Sequence, residues 1–470
     1  MKNRLFLVLL FLVTLLSSAN AQLPNSNMTL LKALNPRPGS YSALWGYVAP
    51  NGREYAILGC SSGTSFIDVT DSANIRECDF VSGVTSNWRE MKTISHYAYV
   101  VSEGSNSKVQ IIDLQYLPDS VSLVKTTNFP GHTTTHSIQV WGTNKIILNG
   151  CNSTNFSNGV VILDCTDPVN PVILTKANNQ FGGNTNGYVH DSRVWKDTLY
   201  ACNIYTGYVT LYDGRSMPVA GDTLIPFKSF QTVPNPFTHN LAFTQDGKYI
   251  FTTDETSSPN GKLKGWNIQD KTNITNVSTW TPTGITTAIV HNVEIYGKYA
   301  LVAHYTAGIR LLDVSVPSAP VELAWYDTYP SNNSSNFAGC WAVYMLPSKK
   351  IIASDINTGF YCVKPTITIT GIENPVATET PSSFGLKQNY PNPFNPSTKI
   401  SFSLTKNSFV SLKVFNLSGK EVANLVNDRR DGGNYEYTFD AGKYGLSSGV
   451  YFYTLEAEGK SETMKMILVK

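Results

Sequence analysis

Apolar and polar residues alternate along most of this chain in short runs, and the runs recur in a fixed grammar. Its clearest copy is Val290-His291-Asn292-Val293-Glu294-Ile295, then Tyr299-Ala300-Leu301-Val302-Ala303-His304, then Gly308-Ile309-Arg310-Leu311-Leu312-Asp313-Val314, closed by Pro317 and Pro320. Period-2 alternation in Val, Ile, Tyr and Phe, broken by pairs such as Asn51-Gly52 and Asp246-Gly247, is the chemistry of strands and hairpins. The grammar can be followed from Trp45 to Val363 at a spacing of roughly 50 residues, the range of propeller blades. The residue opening each copy is Trp45, Trp88, His136, His190, His239, His291 and Trp341 in turn. The third run ends in Asp68, Asp113, Asp164, Asp213 and Asp313, with Asn267 in the fifth copy and no such residue in the last. An Asp at a strand end is expected to cap the following turn through its side chain.

Four antiparallel strands per copy predict an all-β chain: a seven-bladed β-propeller over 22–364, followed by a small C-terminal β-sandwich. The seventh copy lacks a fourth strand, whereas Met28-Thr29-Leu30-Leu31-Lys32-Ala33-Leu34 is a strand without a copy of its own. The first strand is therefore expected to complete the last blade, leaving no open edge at the seam.

Ahead of that strand, Met1-Lys2-Asn3-Arg4 is basic and Leu5 to Leu16 is apolar, with a small-residue exit at Ala19-Asn20-Ala21. This is the pattern of a cleaved signal peptide over 1–21, too short to span a bilayer comfortably. No later stretch predicts a transmembrane segment in the mature chain. The formal charge of +2 arises from Lys2 and Arg4, so the remainder is balanced and offers no electrostatic case for nucleic acid. Seven cysteines in an exported chain permit disulfides but leave at least one thiol over. Several occupy positions where a small apolar packing residue is expected.

Asp164-Cys165-Thr166-Asp167-Pro168-Val169-Asn170-Pro171 and Asp313-Val314-Ser315-Val316-Pro317-Ser318-Ala319-Pro320 resemble the LVIVD repeat. The span 28–364 resembles the exported propellers of the choice-of-anchor B family, which implies a fold and a cell-surface setting but no established chemistry. Residues 365–383, rich in Thr, Pro and Glu, read as a linker. Beyond it, Asn389-Tyr390-Pro391-Asn392-Pro393-Phe394-Asn395-Pro396 and Ser448-Gly449-Val450-Tyr451-Phe452-Tyr453 closely resemble the C-terminal sorting domain of type IX secretion, over 384–470. That resemblance implies the type IX machinery as a partner, periplasmic transit, and secretion or outer-membrane surface attachment.

Within each copy the second run returns antiparallel to the first, so its end lies beside the opening residue. This pairs Trp88 with Glu103, His136 with Cys151, His190 with Asn203, His239 with Asp254 and Glu255, His291 with His304, and Trp341 with Asp355. All are expected at one end of the axial channel. There His136, His190, His239 and His291 are candidate ligands for a transition metal, imidazole and carboxylate being its usual donors. Trp45, Trp88, Glu103, Asp254, His304, Trp341 and Asp355 form the candidate binding rim. The alternative for each histidine is a structural hydrogen bond within or between blades. No GxSxG, HExxH, P-loop or dinucleotide motif is present, so no catalytic residue is assigned. Three functions stay open: a surface-attached binding module for a glycan, peptide or protein; a metal-dependent enzyme with its site at the axis; and an adhesion scaffold.

Overall fold

The computed structural model describes residues 25–469, apart from 128, 130–131, 154–155, 178–186, 216, 218–222, 257–260, 371–383, 406–407 and 431–432. The segment read from sequence as a signal peptide, and most of the one read as a linker, lie outside these residues. Among the described residues there is no helix, and hence none long and apolar enough to cross a membrane.

Seven sheets are built from 25–365, antiparallel except where Val172–Ala177 pairs parallel with Thr223–Leu224, and their innermost strands touch in cyclic order, the seventh against the first. We number these sheets as blades one to seven. The innermost strands are Tyr41–Val48, Arg89–Ile94, Ser137–Trp141, Val189–Trp195, Thr238–Phe243, Val293–Tyr296 and Cys340–Met345. The arrangement is an all-β propeller.

Its core is divided among the gaps between blades, because successive side chains of a strand leave opposite faces. Tyr55 and Ile57 of blade one pack against Met91 and Val100 of blade two, whereas Ala56 and Leu58 pack against Ala342 and Ile352 of blade seven. Tyr99 faces blade three while its neighbours Ala98 and Val100 face blade one. Middle strands buried on both faces explain why the sequence there reads as nearly continuous apolar runs.

Met28–Leu34 pairs antiparallel with Gly359–Pro365, from Met28 opposite Pro365 to Leu34 opposite Phe360, and supplies the outer strand of blade seven. Asn25–Ser26 pairs instead with Val321–Tyr326, the outer strand of blade six. The switch between sheets occurs at Asn27, whose φ is +54°. Its amide Nδ2 donates to Leu323 O at 2.8 Å, and its carbonyl accepts from Thr366 N at 2.9 Å. Apolar anchoring of the closing strand comes from buried Met28 and from Leu31 and Leu34. Leu30 is exposed.

The strand-end aspartates cap their turns. Thr70 N, Gln115 N, Thr166 N, Arg215 N and Ser315 N donate at 2.8–3.0 Å to Asp68, Asp113, Asp164, Asp213 and Asp313. Gln269 N makes the same bond to Asn267 at 3.1 Å. The seven cysteines are all free thiols. Burial pushes Cys60 and Cys362 each up to about 12, which suits inert packing groups.

Residues 385–468 form two further sheets, of three and four strands. They enclose a separate core that includes Phe394, Ile400, Phe402, Val414, Phe439 and Tyr453.

Candidate axial site

The innermost strands do not run straight into the channel mouth. In blades four, five and seven the register skips a residue. Val189 and Asp191 face Asn203 and Cys202, Thr238 and Asn240 face Asp254 and Thr253, and Cys340 and Ala342 face Asp355 and Ser354. The extra residue is His190, His239 or Trp341. Blade six repeats the device: His291 N donates to Ala303 O at 3.0 Å while Ala303 N donates to Asn292 O at 2.8 Å. In blade three, His136 N donates to Asn149 O at 3.0 Å although Ser137 is the register partner of Asn149. These are β-bulges, which re-aim a side chain out of the ladder. Here they turn the opening side chain toward the axis.

Residues in or beside the bulges tie neighbouring blades. Ser42 Oγ donates to Arg89 O at 3.1 Å, Ser137 Oγ to His190 O at 2.6 Å, and Val293 N to Asn240 Oδ1 at 3.1 Å.

His136, His190, His239 and His291 consequently stand side by side. Consecutive ring centroids are 3.9, 4.0 and 4.2 Å apart, and Trp341 continues the arc 4.7 Å from His291. Together with Ala43 and Trp88 they line a cavity of ≈ 20 Å³, space for about one water-sized sphere.

One carboxylate sits at the His136 end of the histidine arc and a second between His239 and His291, each held by a tyrosine. His136 Nδ1 is 2.6 Å from Glu103 Oε1, which also accepts from Tyr188 Oη at 3.1 Å. Glu255 lies between two rings: its Oε2 is 3.7 Å from His239 Nε2 and its Oε1 is 3.7 Å from His291 Nε2. The Tyr305 hydroxyl donates to Glu255 Oε1. His291 Nδ1 is bonded to the carbonyl of Trp341. The buried Nδ1 atoms of His190 and His239 have no hydrogen-bond partner.

Burial dominates the electrostatics. It holds His190 and His239 well below the ordinary histidine value, reinforced by the neighbouring imidazoles, and drives His291 down to about 3. These rings are neutral at physiological pH. Burial also pushes Glu255 up to about 7, with the Tyr305 hydroxyl and His136 pulling the other way. At Glu103 burial likewise acts upward and is the largest single influence, but the bond to His136, the His136 charge and the Tyr188 hydroxyl together outweigh it and the carboxyl is held below its usual range. Deeper in the channel, Glu90 and Lys92 form an ion pair at 2.7 Å, and Arg193 reaches across to Glu294.

Four of the rim residues expected from sequence fall elsewhere. Trp45 lies beyond a bulge, since Tyr41 and Leu44 face Cys60 and Leu58, and it packs on Tyr344 with ring centroids 4.8 Å apart. Ala43 takes its place at the mouth. Asp254 is bound up with Lys264 at 2.8 Å and Thr232 at 2.9 Å. Asp355 accepts from Thr328 Oγ1 at 2.6 Å and from the backbone of Asn357 and Thr358. His304 is fully buried and faces Trp280, on the outer strand of blade five. Trp88, Glu103 and Trp341 do lie with the four histidines. Glu255, Tyr305 and Tyr188 were not singled out as site residues. The only signal for Glu255 was its position directly after a strand that returns beside His239.

Around the mouth, aromatic rings are exposed. Trp88 is 42% exposed, Tyr205 67% and Phe337 55%. Tyr205 touches both Tyr188 and Phe237, with centroids 5.7 and 6.0 Å apart, and Phe337 touches Tyr305 at 5.6 Å.

Residues 388–470 match the family of secretion system C-terminal sorting domains, and residues 289–328 match the LVIVD repeat. The first of these is the type IX sorting tail, which supports handling by the type IX machinery, export, and cell-surface or outer-membrane association. No curated protein matches the chain. Among solved structures it is similar to a putative 6-phosphogluconolactonase from Bacteroides fragilis NCTC 9343, at 12% identity over 72% of this chain and 98% of that one, with a TM-score of 0.46. A putative 6-phosphogluconolactonase from Bacteroides uniformis ATCC 8492 gives 13% identity over 71% and 94%, with a TM-score of 0.49. A protein from Lactobacillus plantarum gives 11% identity over 85% and 100%, with a TM-score of 0.49.

Proposed function

We propose that this is an exported, surface-attached binding propeller that takes a small ligand at the histidine-lined mouth of its axial channel. The sorting tail supports the destination, and membership of the choice-of-anchor B family would fit both tail and repeat. The observation that carries the binding reading is the convergence of bulged side chains from consecutive blades on one small cavity. Two carboxylates flank it, and exposed aromatics surround it. Bulges are used where a side chain must leave the ladder for a task other than packing. A concave site with a few convergent polar groups and aromatic walls is what small-ligand recognition requires.

Trp88 and Trp341 at the mouth make the test direct. Purified protein is titrated with a panel of monosaccharides, disaccharides, free amino acids, dicarboxylates and divalent metal salts while tryptophan emission and thermal midpoint are followed. Binding by at least one probe class should change both, and Trp88→Phe should remove most of the emission change. A full panel that leaves emission and midpoint untouched would rule the reading out.

A further inference from the structure

Resting on that reading of the mouth, we infer that the axial ligand is a divalent first-row transition metal ion, held by His190, His239 and Glu255. One donor atom from each of these residues can be chosen so that all lie within 4.8 Å of one another. Two donors at about 2.1 Å from one tetrahedral ion are about 3.4 Å apart. The 3.7 Å between His239 Nε2 and Glu255 Oε2 is too long for a hydrogen bond but close to that span. His291 Nε2 lies 3.7 Å from the other Glu255 oxygen, outside that three-donor group.

Two further features point the same way. Four imidazoles from consecutive blades are brought together at centroid distances of 3.9–4.2 Å, tilted or edge-on to one another, at positions where apolar side chains would pack without leaving buried ring nitrogens to satisfy. The supporting bond at Glu255 is one that orients a ligand: the Tyr305 hydroxyl fixes its Oε1. The donor set separates the ion classes. Imidazole with a single carboxylate suits zinc, iron, copper, nickel or manganese, whereas magnesium and calcium sites are built from oxygen. His136, already bonded to Glu103, is not among the proposed ligands.

The full mature chain is stripped with a chelator, then titrated with zinc and, separately, with cobalt. The expected result is one equivalent bound per chain, with intense cobalt d–d absorption showing four- or five-fold coordination. His190→Ala, His239→Ala and Glu255→Gln should each weaken affinity at least tenfold. His96→Ala, in the turn between Arg89–Ile94 and Tyr97–Ser102 and beside Asp113, is the control and should leave it unchanged. Crystals of the wild-type protein grown with zinc should show an anomalous peak within bonding distance of His190, His239 and Glu255. This arm does not depend on any variant folding. Absence of stoichiometric binding, binding that survives all three substitutions, or an anomalous peak elsewhere would overturn the assignment. If the metals fail while a sugar, amino acid or dicarboxylate shifts the emission of Trp88, the metal inference falls and the binding reading stands. If every probe fails, both fall.

Discussion

The Tyr305 hydroxyl donates a hydrogen bond to Glu255 Oε1, from a residue whose own backbone is held at a φ of +28°. Glu255 belongs to blade five and Tyr305 to blade six, so this contact sets the carboxylate between His239 and His291 from the outside. The bond favours the charged form of a carboxyl that burial otherwise pushes up to about 7. Tyr305→Phe should therefore move the Glu255 titration further upward. It should also cost about 1.5–3 kcal/mol of stability, the range for a hydrogen bond to a charged group. The carboxyl stretch in infrared difference spectra, assigned with Glu255→Gln, measures the first effect. An unchanged midpoint would show that the hydroxyl does not control this group.

The mouth also predicts a pH profile for metal-free protein. His190, His239 and His291 bind protons less readily folded than unfolded. Their contribution to stability is complete above the ordinary value of 6.5 and is lost as pH falls toward the folded value of about 3 for His291. Glu255 runs oppositely. Its folded value of about 7 lies above the ordinary 4.5, so its contribution is complete below 4.5 and is lost as pH rises through 7. Urea midpoints with chelator present should fall on the acid side of 6.5. Relative to wild type, Glu255→Gln should become progressively more stable between 4.5 and 7. A pH-independent difference between the two proteins would contradict the assignment.

The closing strand has one fully buried anchor, Met28, beside half-buried Leu31 and Leu34. Met28 is 3% exposed and packs among side chains of blades six and seven. Met28→Ala should cost about 2–4 kcal/mol, the usual range for a buried Met truncated to Ala. Leu30→Ala, on the exposed face of the same strand, should cost well under 1 kcal/mol, as surface changes do. Chemical denaturation of both variants checks the contrast, and equal costs would mean the strand is not docked as described.

The turn aspartates make a finer test. Asp164→Ala removes the acceptor for Thr166 N and should cost about 1 kcal/mol. Asp164→Asn should be nearly neutral, because Asn267 makes the equivalent bond in blade five. Similar losses for the two variants would assign the stabilisation to the charge and not to the cap.

Export is expected to depend on the tail. Deleting 384–470 should leave the propeller in the periplasm of a host carrying the type IX machinery, as read by fractionation and surface protease accessibility. Normal surface display of the truncated chain would refute that dependence.

Much of this architecture was legible in the chain because its signals are local and repeated. The strand-end Asp needs only a backbone N–H two residues on, and the unmatched Met28–Leu34 declares itself by counting strands. The mouth was legible only to the first bulge. Period-2 reasoning assigns each side chain a face, and one inserted residue reverses every later assignment. Blade one shows the effect: Trp45 has the composition of an opening residue, yet the irregularity between Tyr41 and Leu44 gives the position to Ala43. Asp254 ends its strand and His304 follows directly after one, both beside the right neighbours, yet they point into blade interfaces. Glu255, likewise one residue past its ladder, turns inward. Alternation cannot decide between adjacent acidic residues at a strand end, because that choice depends on where pairing stops.

The pairing of Met28–Leu34 with Gly359–Pro365 has a mechanical consequence. A protein held at a surface by its C-terminal side receives tension at Pro365. That residue ends a strand flanked by Met28–Leu34 on one side and Ile351–Asp355 on the other. A pull along this strand loads two ladders of hydrogen bonds together in shear, whereas an edge strand would present only one. The N-terminal strand thus acts as a clamp on the attachment point, and blade six shares the load through Asn25–Ser26.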